Sequence, residues 1–418
     1  MNISGHIVNH DEEFDGTIVI NEQTGLIEDV SYKSQVTSKK GVTRDLLLDT
    51  SGCLIFPSFT DLHVHAREDV SGKDLYKEDF KTASEAALHG GVTQFVEMPN
   101  NPVPPVDDSS YAAKEKLKDA HALIPVVLYA GIGKGTKPLS RKVPYKIFMA
   151  HSVGDLFFNS FEDIEAAIAK YVGQAVTFHC DDPEILEKNK NQPTHELRRP
   201  PEAEISAIDF ALKLIAKYNL TGKLCHISTK KGVEMIRAAK IHGAHVTAEA
   251  APHHMFFDAT MLNEKNHPWL QINPPIRSAE DRAAVIEGLK DGTLDYLATD
   301  HSPNTKEEKM KGANGMPHLD TYGSFATWLM SEHGFTPRDI ARVCSFNPGA
   351  YINQFSNKKF GNIEKGYAGS LTIIDPKKSW TVRDADLKTK VGWSPFTDTT
   401  FPGSVKFTIS LGRVYPQA

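Results

Sequence analysis

The chain has 418 residues, 40% hydrophobic and 24% charged, with a formal net charge of −6 and a pI near 6.3. This is ordinary globular composition with enough chain for a large core, and it excludes the basic character of a nucleic-acid binder. Four cysteines, Cys53, Cys180, Cys225 and Cys344, with no CxxC pair, exclude a disulfide scaffold and suit a reducing compartment.

The opening "MNISGHIVNHDEEFDG" has no basic n-region and no apolar h-region. No stretch approaches the roughly 18 apolar residues of a membrane span. The expected setting is therefore cytoplasmic, with no membrane and no nucleic-acid partner. The short basic cluster "HELRRPPE" is flanked by acids and reads as a solvated loop.

Along the chain, the first 55 residues alternate as strands do, as in "GTIVINEQTGLIEDV", which turns at Thr24-Gly25. From there the pattern becomes short apolar runs separated by helical stretches. The predicted strands are "CLIFPSFTDLHV", "GVTQFVEM", "IPVVLYAGI", "PYKIFMA", "AVTFHC", "KLCHIS", "HVTAEA" and "LDYLAT". Between them lie amphipathic stretches such as "KEDFKTASEAALHG" and "ISAIDFALKLIAKYN". The tail returns to strand character in "GSLTIIDP" and "GSVKFTISLGRVYP". Eight apolar strands alternating with helices predict an α/β fold, a (β/α)8 TIM-type barrel, over residues 56–355. Residues 1–55 and 356–418 then form one small β-sandwich domain from both termini.

Active sites of such barrels sit at the C-terminal ends of the strands. Those ends carry His63 and His65, Lys146, His179, His226 and Asp300, with Glu249 close by. His63 and His65 are two apart, so on an extended strand both face one way. Four histidines and an aspartate exceed the usual three-ligand catalytic zinc set and suit two metals. Lys146 is the candidate bridge. A lysine buried beside two dications loses its proton, and the neutral amine can add carbon dioxide to form a bridging carbamate. His89, His121, His195, His242, His267 and His333 read as ordinary packed or surface residues. Glu249 reads as a strand-end hydrogen bonder. Cys180 and Cys225, adjacent to ligands on strands, are expected to point the opposite way and pack.

The ordered set "HVH", "YKIFMA", "TFHCDD", "CHIST", "EAAPHH", "NPPIR" and "ATDHSP" resembles the cyclic amidohydrolases, the family of dihydroorotase, hydantoinase and allantoinase. The resemblance runs from about Pro57 to Asn347. It implies a binuclear zinc site on the barrel, and a carboxylated lysine at Lys146. Arg67 extends the pair to H-x-H-x-R, which is similar to dihydroorotase, whose arginine grips the substrate carboxylate; a guanidinium fork suits that group. By the same resemblance Asn100 is a second carboxylate contact and Asn273 meets the ring amide. Asn304 stands where dihydroorotases commonly carry a carboxylate-contacting histidine, so it is expected to donate one uncharged hydrogen bond. His318, in place of a usual glycine, is expected either to clash with the substrate or to replace that histidine.

The expected activity is reversible hydrolysis of L-dihydroorotate to N-carbamoyl-L-aspartate, with Asp300 as general base for the attacking water. Residues 302–316, "SPNTKEEKMKGANGM", are expected to form a mobile loop. Another cyclic amidohydrolase activity, hydantoinase- or allantoinase-like, is the alternative. A silent scaffold homologue is a third reading, opposed by the presence of all six ligand candidates. A small-molecule substrate is the expected partner, and the oligomeric state, a homodimer included, is left open.

Overall fold

The computed structural model describes residues 1–32, 48–151 and 156–416. Strands β1 (Asn2–Val8), β2 (Glu13–Asn21), β3 (Leu26–Tyr32) and β4 (Leu54–Pro57) come first. The parallel strands follow: β5 (Phe59–Val64), β6 (Val92–Glu97), β7 (Val126–Leu128), β8 (Ala130–Ile132), β9 (Tyr145–Phe148), β10 (Ala175–His179), β11 (Thr221–Leu224), β12 (Val246–Ala250) and β13 (Tyr296–Leu297). The chain closes with β14 (Leu371–Asp375), β15 (Trp380–Thr381), β16 (Thr400–Phe401), β17 (Ser404–Ser410) and β18 (Arg413–Pro416).

Both chain ends share one seven-stranded sheet, ordered β18-β17-β14-β4-β1-β2-β3. Its strands alternate as half-buried strands should. In β2, Gly16, Ile18 and Ile20 face inward and the residues between them are more exposed. The inward face joins Ile3, Ile7, Ile55, Leu371, Ile373 and Ile409 in a core of its own.

The central strands are different. β5 and β6 are buried at every position, because helices cover one face and neighbouring strands fill the other. They form two parallel sheets, β5-β6-β7 and β8-β9-β10-β11-β12-β13. An isolated parallel bridge, Val64 to His301, links β5 to the chain beyond β13. On the other side Tyr129 N donates to Glu97 O and Ala130 N to Pro144 O, so the residue between β7 and β8 carries the chain from one sheet to the other.

All eight predicted parallel segments contain strand. Two of them split. The predicted first strand breaks at Ser58: β4 pairs with β1 and β14 in the terminal sheet, and β5 pairs with β6. The predicted third strand divides at Tyr129. The two helical stretches quoted above are present as Phe80–His89 and Pro201–Lys217. In the first, Asp79 caps the N-terminus and Phe80, Ala83, Ala86 and Ala87 pack inward. Among the described residues no helix is long and apolar enough to cross a membrane.

One carboxylate ties β5 to the start of the chain segment after β13. Asp61, fully buried, accepts from His63 N at 3.0 Å, Thr299 N at 3.1 Å and the Thr299 hydroxyl at 2.5 Å. Replacing Asp61 by Ala orphans three buried donors. We expect a loss of about 3 kcal/mol, read as a lower urea midpoint at unchanged slope.

Candidate metal and substrate site

The C-terminal ends of the parallel strands meet in one pocket. His63, His65, Arg67, Asn100, His179, His226, Asn273 and Asp300 all line it. Lys146 is fully buried just beneath, on β9. Phe148, Ile272, Ser302, Asn314 and Gly315 complete the lining and were not anticipated.

The donor atoms gather in two overlapping groups. Those of His63, His65 and Asp300 lie within 4.8 Å of one another, as do those of His63, Cys225 and His226. Asp300 Oδ1 is 3.1 Å from His63 Nε2 and 3.3 Å from His65 Nε2. His179 Nδ1 is 2.9 Å from His226 Nε2. Such a crowd of nitrogen and oxygen donors, with few hydrogens to share, suits a cation better than it suits mutual hydrogen bonding. The buried His226 Nδ1 has no partner among the described residues.

Partners outside the pocket set the tautomers. His63 Nδ1 is 2.8 Å from Glu249 Oε2. A carboxylate only accepts, so the ring proton sits on Nδ1 and the Nε2 lone pair faces the pocket. His179 Nε2 likewise donates to Asp181 at 3.1 Å, leaving Nδ1 free to face His226, and Asp181 is itself paired with Arg199. Burial keeps the imidazoles neutral: His63 is pushed down to about 3, and His65 and His226 well below the usual histidine range. Burial opposes charge on Glu249 too, but the Lys223 ammonium and His63 hold it well below the usual carboxylate range. Burial pushes the Asp300 carboxyl well up, as expected for an acid awaiting a positive partner.

Backbone conformation aims several of these side chains. Arg67, His226 and Asp300 have φ of 63°, 32° and 50°. They are three of the six non-glycine residues with left-handed φ among the described residues, a conformation that costs of order 1–3 kcal/mol each.

One cysteine departs from expectation. Cys225 was expected to point away from the ligands, but it lies two residues from the inward Lys223 and shares its face, while the left-handed turn at His226 brings that ring in as well. The Cys225 thiol therefore faces inward, 2.7 Å from Lys146 Nζ. Cys180 does pack in the core.

Glu249 is more than a strand-end hydrogen bonder. It also pairs with the buried Lys223 and accepts from His226 N at 3.3 Å. Lys223 was overlooked, although a lysine inside an apolar strand was the signal that picked out Lys146. Lys146 itself has no carboxylate partner among the described residues. Its Nζ lies 5.1 Å from the centroid of the Phe148 ring.

Arg67 is buried and, among the described residues, no carboxylate pairs with it. Its neighbours are committed elsewhere: Glu68 to His121 and to Phe80 N, Asp69 to Ser71 and Val103 N. Asp74, Glu97, Asp300 and Glu308 favour its charge only from beyond contact, and a buried guanidinium without a direct ion pair is costly unless a ligand supplies one.

Two expectations are corrected. Asn304 does not line the pocket; its amide donates to Asn314 O at 2.9 Å, behind the wall. His318 neither clashes in the pocket nor replaces a ligand contact there. It is buried outside the lining, with its Nε2 3.2 Å from His253 Nδ1. The segment 302–316 is a folded element rather than a plain loop, with a helix at Lys306–Met310 capped by Thr305 and Glu308.

A sequence model of the Amidohydrolase family matches residues 54–415. A dihydroorotase of Pyrococcus furiosus is 33% identical over 87% of this chain and 81% of its own length. One from Thermococcus kodakarensis is 32% identical over 99% and 93%, and one from Lactobacillus helveticus 31% over 94% and 94%. Among solved structures, the L-hydantoinase of Arthrobacter aurescens shares the fold, with a TM-score of 0.87 at 22% identity, covering 98% of this chain and 94% of that one. A D-hydantoinase structure gives 0.85 at 21%, covering 100% and 95%. With a match that spans the parallel strands and the whole pocket, and relatives alike over most of their length, this chain belongs to the amidohydrolase family.

Proposed function

We propose that this protein is a dihydroorotase, catalysing the reversible hydrolysis of L-dihydroorotate to N-carbamoyl-L-aspartate in pyrimidine biosynthesis. The observation that carries the reading is Arg67: a buried, unpaired guanidinium beside clustered imidazoles, a place for a carboxylate on a ring held next to metal ligands. The names of the relatives support it. The hydantoinase neighbours speak to the fold alone.

In this reading the parallel strands close into a (β/α)8 barrel over residues 56–355, supported by the Val64–His301 bridge and the Tyr129 bond. Residues 1–55 and 356–418 make the β-sandwich domain; part of it, 33–47, lies outside the described residues. The setting is cytoplasmic, and the partner is a small molecule rather than nucleic acid or membrane. A homodimer is the assembly we would test first.

His63, His65, His179, His226 and Asp300 would hold two zinc ions, and Lys146, once carboxylated, would add a carbamate to that ligand set. When bound, such ions lower the pKa of water and polarise a carbonyl. The protein's own groups do the rest. Arg67 forks the substrate carboxylate and Asn100 takes a second contact. Asn273 faces the ring amide. Asn304 acts through the carbonyl of Asn314. Asp300 takes the proton of the attacking water and hands it to the leaving ring nitrogen; in the cyclising direction it first accepts the amide proton. Glu249 keeps the His63 ring turned so that the Nε2 lone pair faces the pocket.

Three outcomes test this. Purified protein should turn over L-dihydroorotate faster than hydantoin or allantoin, lose activity to a chelator and regain it with zinc and bicarbonate; faster turnover of hydantoin would replace the assignment. Arg67→Ala should cost about 2–5 kcal/mol in kcat/KM for dihydroorotate, roughly 30- to 4000-fold, because a desolvated charge pair is lost. Unchanged turnover in that variant would remove Arg67 from the site. Glu249→Gln should weaken zinc binding about 10–100-fold in chelator competition, and no change would mean that His63 needs no such support.

A further inference from the structure

The folded segment 302–316 contains a lysine that none of this chemistry uses. Lys309, on the helix Lys306–Met310, is fully buried. Burial pushes its amine down to about 7, and no carboxylate among the described residues pairs with it. What favours the charged form is three backbone carbonyls: Gln271 O at 2.8 Å, Ala313 O at 2.8 Å and Gly315 O at 2.9 Å. An ammonium has three donors and no acceptor. These carbonyls use all three, so a neutral amine would forfeit one of the three bonds. The Trp393 ring lies to the side, its centroid 5.9 Å from Nζ.

The position of the acceptors matters more than their number. Gln271 immediately precedes Ile272 and Asn273, while Ala313 and Gly315 flank Asn314. Ile272, Asn273, Asn314 and Gly315 line the pocket. One ammonium thus joins, from behind, two chain segments more than forty residues apart, and those segments make one side of the pocket. Further bonds run along the same seam. Gly315 N donates to Gln271 O at 3.1 Å, and the Gln271 amide donates to Gly312 O at 3.1 Å. The seam has no slack: Gly315 has φ of 122°, and a Cβ there would come within 2.5 Å of Ser302 O.

We propose that Lys309 is a positioning residue, an internal ammonium staple that holds the Ile272–Asn273 and Asn314–Gly315 walls at the spacing the ring substrate needs. It touches no substrate and no metal ligand. The inference rests on the reading of this pocket as a dihydroorotate site, but its first readout does not.

Lys309→Met keeps length and apolar stem and removes every donor. Amide hydrogen exchange within 312–316 should accelerate by about tenfold or more, while Phe59–Val64 is unchanged and bound zinc stays at the wild-type level. KM for L-dihydroorotate should rise by about tenfold or more, with kcat changed by less than about threefold, since a displaced wall acts on substrate placement. Unchanged exchange in 312–316 overturns the staple, and does so even if wild-type protein fails to turn over dihydroorotate. Faster exchange with an unchanged KM overturns the positioning role, leaving Lys309 merely structural. Where the Met variant does not fold, Lys309→Ala supplies the test, with propylammonium filling the space of the missing atoms. Recovery of KM with propylammonium and not with 1-propanol supports the proposal; equal recovery with both, or none with either, overturns it.

Discussion

A single buried carboxylate, Glu249, sits between the Lys223 ammonium and the His63 imidazole, and the pocket is organised around it. Neither partner would be stable there alone. Lys223 would be an unpaired charge in a strand interior, and His63 would be free to choose its tautomer and its rotamer. With Glu249 in place, the ammonium is neutralised and lies beside the Tyr129 and Tyr351 rings. The imidazole is oriented, and the backbone N–H of His226 gains an acceptor. β11 and β12 are paired by their own backbone ladder, and Glu249 ties both from inside to β5, which belongs to another sheet. A buried ion pair contributes little net stability once desolvation is counted. Its value here is geometric, because it fixes where a lone pair points.

The second organising feature is backbone strain at the strand ends. Arg67, His226 and Asp300 each hold a left-handed φ. None is glycine or asparagine, so the surrounding packing must supply what the conformation costs. Burial at all three positions provides it. At His226 the turn brings the ring to the face that Lys223 and Cys225 already share.

Much of this was legible in the sequence, and the failures have physical reasons. Continuous apolar runs marked the parallel strands, and the H-x-H spacing marked the pocket, because both follow from local geometry. The break at Ser58 was invisible, since β4 is pulled into the terminal sheet by β14, more than three hundred residues away. Alternation misplaced Cys225, because the rule holds only while the chain stays extended. Asn304 and His318 could be placed by resemblance in sequence but not in space. Their side chains found partners in Asn314 and His253 instead of facing the pocket. The segment 302–316 looked unstructured because its polarity is genuine on one side. Within the helix Lys306–Met310 Lys309 alone is buried, and nothing in its neighbours announces that.

The terminal sheet has a consequence for synthesis. Its strand order places β14 and β17 on one flank of β4 and β1 on the other, so the earliest and latest parts of the chain are neighbours. Strands β1 to β3 can form a meander as soon as they leave the ribosome. β4 then has a free edge until residue 375 emerges, and at about 5–20 residues per second that interval lasts tens of seconds. The pocket-bearing strands emerge in between. The first sheet therefore cannot be completed before β14, β17 and β18 emerge, and an exposed strand edge must stay unpaired by strangers until then.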